Sequence, residues 1–118
     1  MRRHAGCAVL LIMALAVSLA GCQNATAVGA INNCGTQLDV RASEGSTTTD
    51  EMAWKTLSPG NRDEIVDVIE NAQTLYVQVR ANDGGAIRHF EVPMDQLGPP
   101  PTGTDIDKEL VLEGDRCP

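Results

Sequence analysis

The chain has 118 residues, and its 9 basic and 16 acidic side chains give a formal net charge of −7. So acidic a surface repels phosphate backbones, which argues against nucleic acid as a partner. The length and a 42 % hydrophobic content fit one small domain around a single core.

Met1-Arg2-Arg3-His4 is a short basic start, and residues 5–20 form an almost unbroken apolar run. At about 16 residues the run is short of the roughly 20 that a permanent span needs. Small residues then lead into a cysteine, Leu19-Ala20-Gly21-Cys22, and this order reads as a secretory signal peptide. The residues after Arg2-Arg3 are not those of the twin-arginine export route. The Leu-Ala-Gly-Cys ending resembles the lipobox of bacterial lipoproteins. That resemblance implies a lipid on the Cys22 sulfur, cleavage just before Cys22, and a protein held on the extracytoplasmic side of the cell membrane.

Cleavage there would remove residues 1–21 and leave 97, with 7 basic and 16 acidic residues, a net charge of −9. The 4 cysteines then have separate expected fates. Cys7 is discarded with the signal peptide and Cys22 is the lipidation site. Cys34 and Cys117 form an even pair in an oxidising compartment and are expected to be disulfide-bonded. Closing so long a loop would stabilise the fold by about 4 kcal/mol. The rival reading, a metal or catalytic thiol pair, has His89 as its only mature histidine and makes a poor ligand set.

Residues 22–29 are small and polar and are expected to form a lipidated tether reaching about 20 Å, followed by a domain over 30–118. Leu38, Val40 and Ala42 alternate with Asp39 and Arg41, as in a half-buried strand. Residues 52–57 read as a strand ended by Ser58-Pro59-Gly60. Residues 62–71 are ambiguous: Asn61 and Glu64 resemble a capping box, but the density of β-branched side chains favours a strand. Residues 74–81 alternate most clearly, Asn82-Asp83-Gly84-Gly85 reads as a hairpin turn, and 86–92 returns as the partner strand. One helical turn is expected within 93–98. Pro99-Pro100-Pro101 gives a stiff exposed loop, and 110–112 is the last strand.

Short strands at regular spacing predict an all-β fold, a small β-sandwich, with Trp54 as a core aromatic. The succession of an Asn-Cys-Gly corner, Trp-x-x-Leu-x-Pro-Gly and alternating strands resembles the small immunoglobulin-like lipoproteins of actinobacteria. That resemblance implies an immunoglobulin-like sandwich closed by one disulfide.

His89 is the residue most able to act as a base near neutral pH. A hydrolytic triad would pair it with Ser43, Ser46 or Ser58, none of which lies in a Gly-x-Ser-x-Gly elbow. Asp105, Asp107 and Glu109 alternate and would share one strand face, which a hard cation could use, but Lys108 interrupts them and no glycine shapes a loop. Asp63, Glu64, Asp67 and Glu70 form a second acidic stretch. Paired carboxylates can hydrolyse glycosides, but Trp54, Tyr76 and Phe90 are expected in the core rather than on a sugar platform. No phosphate loop, Cys-x-x-Cys or His-Glu-x-x-His motif is present. The expected function is a membrane-anchored, non-enzymatic binding or structural module of the cell envelope without a cofactor, and its expected partner is another exported protein or envelope component. The alternatives are a small exported hydrolase or metal-dependent enzyme using His89, and a carrier for a lipid or small ligand.

Overall fold

A computed structural model describes residues 25–118. Seven strands run in the order β1 Ala25–Asn32, β2 Leu38–Ser43, β3 Lys55–Leu57, β4 Arg62–Ile69, β5 Thr74–Ala81, β6 Gly84–Pro93 and β7 Lys108–Leu112. Among the described residues, 3-10 turns at Thr49–Glu51 and Met94–Gln96 lie between strands, and a third, Gly114–Arg116, follows β7. The expected signal peptide and Cys22 lie outside the described residues.

The fold is an all-β sandwich of two sheets. One sheet has the order β4-β1-β7, with β1 antiparallel to β4 and parallel to β7. The other has the order β3-β2-β5-β6 and is antiparallel throughout. Alternation explains the layers, because successive side chains on a strand face opposite ways. Val28, Ala30, Val66, Val68, Leu110 and Leu112 from the first sheet meet Leu38, Val40, Ala42, Leu57, Leu75, Val77, Val79 and Val92 from the second. The ambiguous segment 62–71 is strand through Ile69, its β-branched residues Val66 and Val68 buried in this core.

Cys34 and Cys117 are disulfide-bonded, with their Cα atoms 5.6 Å apart. The bond ties the loop after β1 to the end of the chain, beyond β7. Beside it Asn32, fully buried, donates to the carbonyls of Thr36 (2.8 Å) and Leu57 (2.9 Å) and accepts the Cys34 N–H (2.9 Å).

Two expectations need correction. The tether drawn over 22–29 is strand from Ala25 onward: β1 is the central strand of its sheet, and Ala27, Val28 and Ala30 are fully buried. Small residues are needed there because a loop folds over β1. The Asp107 carboxylate accepts the Ala27 N–H at 2.8 Å, and Ile106 covers Gly29. Trp54 is not a core residue. It precedes β3 on the outer face of the four-stranded sheet, half-buried, where Arg41 and Arg80 lie over its ring at 4.0 and 4.1 Å. Aliphatic side chains fill the interior instead, and of the three aromatics only Phe90 packs against them.

Candidate functional site

The outer face of the four-stranded sheet gathers the polar residues of β2 and β5 that alternate with the core. The register sets them in rows: Asp39 beside Arg80, Arg41 beside Gln78, Ser43 beside Tyr76. β6 extends two of these rows with His89 opposite Gln78 and Glu91 opposite Tyr76.

Two of the rows form a closed network. The Asp39 carboxylate accepts Thr56 Oγ1 at 2.8 Å, Asn82 Nδ2 at 2.9 Å and Arg80 Nε at 3.1 Å. Burial pushes this carboxyl up, but the three hydrogen bonds and the Arg80 charge together outweigh that and hold it below its ordinary value. Arg41 Nε donates to Gln78 Oε1 at 2.7 Å, and Gln78 Nε2 donates to Asp50 Oδ1 at 2.5 Å. Arg41 also reaches the Asp50 carbonyl at 3.0 Å, so the Thr49–Glu51 turn is pinned over the sheet. With Trp54 beneath both guanidinium groups, this part of the face is committed to its own contacts.

The third row opens into a groove of about 540 Å³ between the 45–49 loop and β6, lined by Tyr76, His89 and Glu91 among others. The groove brings His89 near a carboxylate and hydroxyls, as a hydrolytic site would require. Among the described residues, however, no hydrogen bond or ion pair engages the exposed His89 ring. The serines are occupied elsewhere. Ser43 is buried, donates to the Thr47 carbonyl and accepts the Gly45 N–H at 3.0 Å. Ser46 donates to Glu44, and Ser58 lies in the turn after β3.

The acidic stretches are likewise engaged separately. Asp107 bonds Ala27, Glu109 pairs with Arg62 at 2.7 Å, and Asp63 pairs with Lys55 at 3.2 Å. Among the described residues no three His, Cys, Asp or Glu side chains stand close enough to hold a metal ion. The Pro99–Pro101 loop is exposed at its first two prolines and pinned where Thr104 Oγ1 donates to the Pro101 carbonyl at 3.0 Å.

A second groove follows the free edge of β6, lined by Ile87, Arg88, His89, Phe90 and Arg116 among others. Arg88 donates through Nε and Nη2 to the Asp115 carbonyl at 3.1 and 2.8 Å. Arg116 donates to the Val111 carbonyl at 3.1 Å and lies 5.6 Å from the Phe90 ring centre. Both guanidinium groups therefore hold neutral oxygens, and neither pairs with a carboxylate among the described residues. No sequence pattern marks either arginine: Arg116 lies outside any alternating run, and its neighbourhood with Arg88 depends on long-range packing.

Comparison with protein-family models, curated proteins and solved structures finds no match to this chain.

Proposed function

We propose that this chain is a lipid-anchored, non-enzymatic binding module of a bacterial cell envelope, held at the extracytoplasmic face of the cell membrane by acyl chains on Cys22. The pairing of Cys34 with Cys117 carries the reading. It accounts for two of the three cysteines that cleavage before Cys22 would leave, and the third ends the lipobox-like Leu19-Ala20-Gly21-Cys22. A disulfide also fits an exported, oxidising compartment. Two or more acyl chains would anchor stably where one would not, and the −9 net charge of the mature chain would oppose attraction to anionic head groups.

Because β1 begins at Ala25, only residues 22–24 separate lipid from sheet, about 10 Å at full extension. The start of β1, the turn between β4 and β5 and the end of β6 then lie at the bilayer side. The Asn82–Gly84 hairpin and the disulfide corner face away. Binding is favoured over catalysis because no carboxylate among the described residues hydrogen-bonds the His89 ring, and the buried Ser43 hydroxyl is already bonded within the domain.

Metabolic labelling with radioactive palmitate tests the anchor. The wild-type chain should be labelled and sediment with membranes, and Cys22→Ala should be unlabelled and soluble. An unlabelled wild type, or label that survives Cys22→Ala, contradicts it. In-cell cross-linking tests the binding role, which predicts a specific exported partner.

A further inference from the structure

Sheet edges are where a sandwich can accept another chain, and the edges of this fold differ. β3 has only 3 residues. The free side of β7 is bridged by Gly98 to Glu109, with backbone bonds of 2.8 and 3.1 Å. β4 carries Asp63, which pairs with Lys55 at 3.2 Å, and the exposed Asp67 on its side away from the core. β6 is the longest strand, with 10 residues, five of them consecutively exposed from Gly85 to His89.

The ladder fixes which β6 backbone groups are free. The Met94 N–H donates to the Gln73 carbonyl at 2.8 Å, which sets Leu75–Val92, Val77–Phe90 and Val79–Arg88 as the pairs that exchange bonds with β5. The N–H and C=O of His89 and Glu91 consequently point away from the sheet. Grooves flank this edge: His89, Phe90 and Glu91 line both the groove beside Tyr76 and the one beside Arg116. Main-chain groups between two side-chain grooves are the arrangement by which an added strand is bound, with backbone bonds for affinity and alternate side chains for selection. Arginines and carboxylates share the second groove, which Glu91 and Asp115 also line. Arg88 and Arg116 stand here without carboxylate partners, on a mature chain of net charge −9.

We propose that β6 is a docking edge for an extended acidic segment of another exported polypeptide, which adds as a fifth strand to the four-stranded sheet and directs carboxylates at Arg88 and Arg116. The inference rests on reading the chain as a binding module and names where and what it binds. The backbone of the partner segment would bond His89 and Glu91, while its alternate side chains enter the two grooves.

The test uses the full chain, isotope-labelled in a mild non-ionic detergent, titrated with a short capped peptide alternating valine and aspartate. The expected result is binding, with slowed amide exchange at His89 and Glu91. It should weaken about fivefold in Arg88→Gln/Arg116→Gln, as the loss of two exposed ion pairs requires. A lysine-for-aspartate peptide and a peptide N-methylated at alternate positions should both bind more weakly. If the arginine variant misfolds, His89→Pro serves, since its proline removes only an outward-facing donor on an edge strand; it should fold and lose binding. Equal binding of the lysine or N-methylated peptide, perturbations that map away from β6, or no binding at millimolar peptide would each overturn the proposal. No membrane is involved, so failure here is separate from failure of the palmitate test.

Discussion

The side chain of Ile106 fills the space that any Cβ on Gly29 would need, its Cδ1 and Cγ1 both lying inside contact distance of that position. Gly29 sits at the register shift of the β1–β4 pair, and Ile106 belongs to the loop that closes over β1. Gly29→Ala should therefore cost about 1–3 kcal/mol by overpacking, because a buried β-branched side chain cannot swing aside. Chemical denaturation measures it. Adding Ile106→Ala should make the Gly29→Ala change nearly neutral, and additive losses would contradict the contact.

Asn32 uses its whole amide at one buried corner. Asn32→Ala would orphan the Leu57 and Thr36 carbonyls and the Cys34 N–H. We expect a loss of about 2–3 kcal/mol, seen as a lower urea midpoint with an unchanged slope. A change below about 0.5 kcal/mol, as at an ordinary surface site, would contradict that role.

The Cys34–Cys117 bond spans 83 positions of sequence, so its loss frees a long loop in the unfolded chain. Cys34→Ser/Cys117→Ser should lower stability by about 4 kcal/mol, a large share of the 5–15 kcal/mol typical of a folded domain. Dithiothreitol should bring the wild type down to the stability of the double variant. A melting temperature indifferent to reductant would contradict this.

Asp39 should give the fold an acid-sensitive component. Its carboxyl titrates lower in the folded chain than in the unfolded one, so the unfolded chain takes up the proton first as pH falls. The stabilisation is complete above the unfolded value near pH 4 and is lost as pH drops through the folded value. The stability gap between wild type and Asp39→Asn should hold steady from pH 7 to about 5 and shrink below about 4. Urea unfolding across that range measures it, and a gap that widens in acid would contradict the assignment.

Period-two alternation carried much of the fold into view. Leu38–Val40–Ala42 and Leu75–Val77–Val79 are one wall of the core, and the strand at 74–81 has the boundaries its alternation implies. β1 was not legible, because Ala-Thr-Ala-Val-Gly-Ala lacks bulky side chains. Those small residues fit a strand covered on both faces, by the core on the side of Val28 and Ala30 and by Ile106, about 80 positions away, on the side of Gly29. Trp54 was misplaced for a related reason. Its environment is set by Arg41 and Arg80, which meet over it only once β3, β2 and β5 are adjacent. His89 was visible as a residue, but its place on a free edge between two grooves required the strand order.

The central claim, a disulfide-closed domain anchored through Cys22, is tested most directly by the mass spectrum of the mature chain purified from membranes. It predicts an N-terminus at Cys22 bearing a diacylglyceryl group, and a Cys34–Cys117 cross-link that leaves the chain two hydrogens lighter than its reduced form. An unmodified Cys22, or a chain that still begins upstream of it, would contradict the account.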